Sequence, residues 1–337
     1  MDVNTLLLMI GLGLSFFMAF NLGANDAATP LDTSVGAGVI SIKKALILFA
    51  IFSAIGAVGQ GYMNIKTISG GIVPKIDVVG AISISLVAGL WSFFCSWKGL
   101  EISNTYTVIG SVLGYALIAY GSFRVETLTN IIISWVISPI LSIGIAYLFH
   151  KCMTKIFHNQ LSNIRFLNII SKLLIISLCF SAYSFGVNDV GNATGVYVAV
   201  TQDTFGLPSF NTMLFLSAFG ALGIAVGGLT LGHRVVETVA YKIVRIDVLS
   251  GLVAETTNAL VVYMFSTIPY TYLGYGLPIS SSIVGVGSIV GTGLARGHGL
   301  IDKKTIGRLV TTWVISIPAT AILCASLYFL LSQVIRL

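Results

Sequence analysis

The sequence predicts an all-α integral membrane protein built from two homologous repeats of about five membrane elements each. Three observations carry this expectation. Hydrophobic residues make up 56% of the 337 and charged residues only 9%, with a mean hydropathy of +0.96. The few charges are bunched, which leaves long uncharged tracts. The chain also contains one set of motifs twice, in the same order.

A soluble domain carries about 25% charged residues, so this composition excludes one. Uncharged tracts run from Asp2 to Asp26, Lys44 to Lys66, Asp77 to Lys98, Glu101 to Arg124 and Glu126 to Lys151. Others run from Lys172 to Asp189, Asp203 to Arg234, Glu255 to Arg296 and Arg308 to Arg336. Most approach or exceed the roughly 20 residues that span a bilayer core, and the tract after Glu255 holds two elements. The total is on the order of ten membrane elements. The first of these, residues 4–22, lacks the basic start and small-residue cleavage site of a leader, because Asp2 stands at its head.

The net charge of +6 is concentrated in short connections such as Lys43-Lys44, Lys151 to Lys172, Arg234 to Arg245 and Arg296 to Arg308. Basic residues in short loops mark the cytoplasmic side of a membrane protein. That reading accounts for them, and no nucleic-acid partner is expected. Cys95, Cys152, Cys179 and Cys324 have neither disulfide-frame nor metal-ligand spacing.

The repeat is carried by four matches. GANDAATPLDTSVGAG from Gly23 matches GVNDVGNATGVYVAV from Gly186, and Asn25-Asp26 falls on Asn188-Asp189, an offset of 188 − 25 = 163. Ile65 to Asp77 matches Val236 to Asp247, GLEISNT from Gly99 matches GLPISSS from Gly276, and WVISPI at Trp135 matches WVISIPA at Trp313. The halves are 1–158 and 159–337. An odd number of crossings in each would invert the second half relative to the first. Transporters built this way place their substrate site where the halves meet, near the bilayer midplane.

Asp26 and Asp189 are the leading functional candidates. Each ends a long apolar tract inside a glycine-rich break, with Pro30 in the first. Glycine and proline interrupt helices, and in a membrane such a break must be buried in protein or line a watery cavity. An acid at that depth is costly and marks a functional site by default. Carboxylate, the neighbouring Asn25 and Asn188 amides and freed carbonyls are hard ligands for Na⁺, or the acid takes a proton. A helix cap at the membrane edge is the simpler alternative, and the duplication argues against it.

Ser103, Asn104 and Thr105 pair with Ser280, Ser281 and Ser282. Each trio opens a glycine-rich apolar run. Hydroxyls and first-turn N–H groups at a helix start can hold an anion, although N-capping or helix packing would use the same residues. Glu101, which reads as a wet loop end, Asp32 and Glu255 are secondary candidates. Lys66 and Glu237 sit at equivalent points and read as interfacial. His150, His158, His233 and His298 fall in basic loops, so no histidine proton relay is evident. Trp135 and Trp313 read as packing or interfacial anchors.

These paired motifs resemble the inorganic phosphate transporter family. Its signature reads roughly GANDVANAFGTSVGSG in one half and GANDVANA in the other, followed in each by a GLPVSTTH-type segment. The resemblance covers nearly the whole chain. It implies re-entrant hairpins and symport of phosphate with Na⁺ or H⁺ into the cell, with no other cofactor. It assigns Asn25, Asp26, Asn188, Asp189 and Asn192 to the ion and anion site, with the two hydroxyl trios at the hairpin tips. Thr29 stands where the family has Asn, and Asp32 where it has Gly. GLEISNTY departs at Glu101, Asn104 and Tyr106, and the second hairpin has Ser281-Ser282-Ile283 for Thr-Thr-His. The family includes sulfate permeases, so sulfate is the alternative substrate, and a homodimer is compatible with it. An enzyme is not expected, since no activated nucleophile or metal cluster accompanies the acids. A passive anion channel would favour fixed positive charge in the pore, and the motif breaks hold acids instead.

Overall fold

The computed structural model describes residues 3–97, 102–206, 208–242, 246–297 and 303–334, and every regular element among them is helical. In chain order these are α1 (Val3–Asp26), α2 (Asp32–Gly36), α3 (Ile42–Gln60) and α4 (Tyr62–Lys66), the last running into a π-helical turn over Thr67–Gly71. Next come α5 (Val78–Trp97), α6 (Asn104–Ala119), α7 (Val125–Phe157), α8 (Ile164–Thr194) and α9 (Val198–Phe205). The chain continues as α10 (Ser209–Lys242), α11 (Val248–Leu273), α12 (Ser281–Arg296) and α13 (Lys303–Val334). Eight of the described helices are long and apolar enough to cross a membrane. Helices α6 and α12, at 16 residues each, fall short of the roughly 20 residues a span needs. The protein is thus a multi-pass, all-α membrane protein.

The packing contacts come in pairs. Gly23 lies so close to the carbonyl of Ile224 that a β-carbon would overlap it, and Gly186 lies equally close to that of Ser53. The same backbone approach joins Gly110 to Ile317, Gly114 to Ala321 and Gly291 to Ile143, while Gly287 lies against the Ser142 hydroxyl. Helix α1 therefore packs on α10 as α8 packs on α3, and α6 packs on α13 as α12 packs on α7. Small residues permit this close approach, on which helix association in lipid depends. Helix α1 runs opposite in sense to the end of α8 and the turn after it: Ser15 donates to Ala193 O at 2.9 Å, while Gly11, one turn earlier, packs on the ring of Tyr197.

The two helices that carry the leading acids end differently. Helix α1 stops at Asp26, and Thr29 N donates back to Asp26 O at 3.1 Å. Pro30 explains this, since it has no N–H for the Asp26 carbonyl and its ring would clash there. The equivalent of Pro30 is Ala193 (30 + 163), and α8 runs unbroken through Asp189 to Thr194. The expected break at Asp189 is thus displaced to the 3₁₀ turn Gly195–Tyr197.

The reading of the histidines changes. His150 belongs to α7 and His233 to α10 rather than to loops, and His150 is buried, with Nε2 3.1 Å from Ser250 Oγ. Of the two roles open to Trp135, packing is the one observed: it is buried, its indole N–H donates to Pro278 O at 3.0 Å, and its ring centroid lies 4.0 Å from that of Tyr106. It braces the segment leading into α12 against the start of α6. Glu101 and His298 lie outside the described residues.

Candidate functional site

The four candidate segments converge in the protein interior. Asp26 sits at the last residue of α1, and Asn104 at the first residue of α6 reaches it, donating from Nδ2 to Oδ2 at 2.9 Å. On α8, Asp189 receives Asn188 Nδ2 at 3.0 Å and Asn192 Nδ2 at 2.9 Å. The Ser281 hydroxyl, from the first residue of α12, also donates to it. Each acid from one long helix is thus held by the N-terminus of a half-length helix.

Direct bonds join these two arrangements. Asn192 Nδ2 donates to Thr105 Oγ1 at 3.1 Å, and Thr105 donates to Ile279 O at 3.1 Å. Asn188 grips the same backbone from its amide: Nδ2 donates to Ile279 O at 2.7 Å, and Oδ1 accepts from Ile279 N at 3.2 Å. Thr29 Oγ1 lies 3.5 Å from Ser282 Oγ. All of Asn25, Asp26, Thr29, Ser103, Asn104, Thr105, Asn188, Asp189, Asn192, Ser280, Ser281 and Ser282 are buried, none exposing more than 7% of its surface. The cluster is closed to bulk water.

Ser103 and Ser280 are N-caps. Their hydroxyls accept from Tyr106 N at 3.4 Å and Ile283 N at 3.3 Å, which stabilises a helix start by about 1 kcal/mol. The capped turns face the cluster, so their partial positive charge is directed at it. The amide oxygens of Asn104 and Asn192 are buried there without a hydrogen-bond donor. Two carboxylates and two such oxygens form a hard donor set suited to a monovalent cation, while hydroxyls and helix N-termini suit an anion.

The whole of this arrangement lies within residues 22–324, which match the model of the phosphate transporter family. The chain belongs to the phosphate transporter family. A sulfate permease of Bacillus subtilis is 30% identical over 306 residues, covering 90% of this chain and 82% of the relative. The chloroplastic inorganic phosphate transporter 2-1 of Arabidopsis thaliana is 26% identical over 425 residues, covering 95% of this chain and 71% of the relative. A solved structure described as the sodium-dependent phosphate transporter superposes with a TM-score of 0.86 at 25% identity, covering 98% of this chain and all 100% of that one. This member of the phosphate transporter family is a transporter and not an enzyme.

One buried polar residue of this phosphate transporter family member, Asn64, is not singled out by the sequence. Asn64 on α4 donates to Ser266 Oγ at 2.9 Å and to Asn188 Oδ1 at 3.3 Å. The repeat places Val235 at its equivalent position, so a search for duplicated polar residues passes over it. Glu255 is a secondary candidate in the sequence. It is buried on α11, accepts from the Thr33 hydroxyl of α2 and is bonded by Ser181. Its counterpart, counted from Asp77 and Asp247 (247 − 77 = 170; 255 − 170 = 85), is the neutral Ser85. Asp32 opens α2 beside Thr33 and is buried as well.

Proposed function

We propose that this chain imports inorganic phosphate across the cell membrane by symport with a monovalent cation, Na⁺ in preference to H⁺. The observation that carries the reading is the pairing of two buried carboxylates with two half-helix N-termini in one closed cluster. An uncompensated anion is prohibitively costly in apolar surroundings, and so are two uncompensated carboxylates. Cations bound at Asp26 and Asp189 beside an anion held by Thr105, Ser281 and Ser282 offset both costs at once. Neither transport partner is then stable in the cluster without the other, which is the physical content of coupling. The likeness to a sodium-dependent phosphate transporter supports Na⁺.

The contacts that occur twice, and the opposed crossing of α1 and α8, support two inverted repeats that rock about this cluster. The basic ends of the helices, at Lys43-Lys44, Lys151, Lys155, Arg296 and Arg308, then face the cytoplasm. Sulfate is the second reading, favoured by the similarity to a sulfate permease and by the hairpin residues that depart from the phosphate-type signature. Uptake of labelled phosphate and sulfate into proteoliposomes, under a Na⁺ gradient or a pH gradient, tests the proposal. Accumulation of phosphate driven by Na⁺ is expected. Accumulation of sulfate alone would overturn the substrate, and accumulation driven only by pH would overturn the cation.

A further inference from the structure

At the end of the molecule opposite the richly basic loops lies a cavity of about 510 Å³ whose lining includes Lys66, Lys75 and Arg124. Each comes from a different segment: the end of α4, the connection before α5, and the residue preceding α7. Asp203 is the one acid among the lining residues, and Lys75 holds it in an ion pair at 2.7 Å. The other acids placed near this end lie outside the lining: Asp77 accepts from the hydroxyls of Tyr115 and Tyr328, both at 2.9 Å, and Glu126 is exposed at the start of α7. Lys66 and Arg124 are exposed, so the cavity presents two cations beyond the Lys75–Asp203 pair.

Its floor is the wall of the buried cluster. Gly70 and Gly71 of the π-helical turn and Tyr275 line the cavity. The adjoining Thr67 donates to Gly276 O at 2.5 Å, and Gly276 N donates to Met63 O at 2.9 Å. Three residues further on, Ile279 is held by Asn188. One extended segment, 275–279, therefore separates the basic cavity from the cation and anion cluster.

The repeat supplies an internal comparison. The position equivalent to Lys66 is Glu237, which lines a cavity of about 870 Å³ between α3 and α10 at the opposite end. There Glu237 offsets Lys43, with His233 beside them. At this one pair of equivalent positions the charge is reversed, Lys66 in one half and Glu237 in the other.

We propose that Lys66, Lys75 and Arg124 form a capture site for a tetrahedral oxyanion at the outer mouth. The anion docks there from bulk solvent and passes inward when segment 275–279 parts from the π-helical turn. This rests on the transport reading above and adds a second, peripheral anion site to it. Positive charge focused in a cleft raises the local anion concentration and the on-rate, and the effect fades with ionic strength.

The test uses the full chain in proteoliposomes at constant Na⁺, with ionic strength set by choline chloride. The triple variant Lys66→Gln, Lys75→Gln, Arg124→Gln is expected to raise the KM for phosphate about fivefold at low ionic strength and less than about twofold at high ionic strength. Maximal rate should change less than KM, Lys66→Arg should retain the wild-type KM, and Lys155→Gln at the opposite end should behave as wild type. In parallel, detergent-purified protein is treated with an amine-acylating reagent, and modification is read by mass spectrometry. Phosphate should slow acylation of Lys66 severalfold relative to Lys155. The acylation readout needs no transport, so it judges the capture site even where uptake fails. Equal acylation rates with and without phosphate, or a KM unmoved at low ionic strength, would overturn the proposal.

Discussion

Asn104 donates to Asp26 across 2.9 Å, tying the first residue of α6 to the last residue of α1 although 78 positions separate them. Asp189 is held in the matching way by Ser281, the first residue of α12. The two acids are therefore the points at which the long helices and the half-length helices meet.

Asp26→Asn and Asp189→Asn remove the negative charge while keeping the size of the side chain. Each is expected to abolish cation-coupled uptake while the protein still inserts and purifies normally. Concentrative uptake near the wild-type rate in either variant would remove that acid from the mechanism.

The capping role of Ser103 and Ser280 can be separated from contact with the anion. Ser103→Ala and Ser280→Ala each lose a cap and should lower stability by about 1 kcal/mol. Ser103→Asn and Ser280→Asn keep a cap and should restore that stability. A KM for the anion that rises in the Ala variants and returns in the Asn variants means the hydroxyls act through the helix start. A KM that stays high in both means the hydroxyls bind the anion directly, at roughly 1–3 kcal/mol for each charged hydrogen bond lost.

Gly23→Ala and Gly186→Ala place a methyl group against the carbonyls of Ile224 and Ser53. Overpacking of this kind costs about 1–3 kcal/mol, and because backbone must move, a clear drop in thermal stability in detergent is expected for both. Gly13→Ala is the control: nothing lies within 4 Å of its added carbon, and alanine is the better helix former. Equal melting of all three variants would show that the paired approaches do not hold the helices together.

Glu255→Ala leaves the hydroxyls of Thr33 and Ser181 without their buried acceptor, at a cost of about 1–3 kcal/mol. Glu255→Gln keeps an acceptor oxygen and should recover most of that stability. If Glu255→Gln also transports normally, the residue serves only to dock α2.

Charge movement tests the stoichiometry. Phosphate near neutral pH carries one or two negative charges, given a second pKa of about 6. Each charge moved against 100 mV costs about 2.3 kcal/mol, so a dianion costs about 4.6. Two monovalent cations neutralise it, and a third lets the membrane potential assist uptake. Symport with two or more cations per anion is expected, measured as uptake under a potassium–valinomycin potential with and without a Na⁺ gradient. Rapid phosphate equilibration in the absence of both gradients, and no accumulation when either is applied, would indicate a channel.

Much of this protein was legible because its signals are local or duplicated. Uncharged tract length marked the membrane helices, and the doubled Asn-Asp and hydroxyl motifs marked the residues that converge at Asp26 and Asp189. Glu255 and Asn64 were the hard cases. Their repeat equivalents, Ser85 and Val235, are uncharged or apolar, so symmetry offered no signal, and their importance lies in partners about 120 to 220 positions away.

The sequence by itself determined the class, the repeat and the candidate chemistry, because bilayer thickness sets tract length and an acid at membrane depth is too costly to be incidental. It also held the reason α1 ends where it does, in the missing N–H of Pro30. Only the tertiary structure decided which hydroxyls cap and which reach a carboxylate, that Trp135 braces the approach to α12, and that α8 runs on past Asp189. Those outcomes depend on directions rather than residue types. A serine at a helix start can cap, pack or bind, and the choice is made by what the other half of the chain places opposite it.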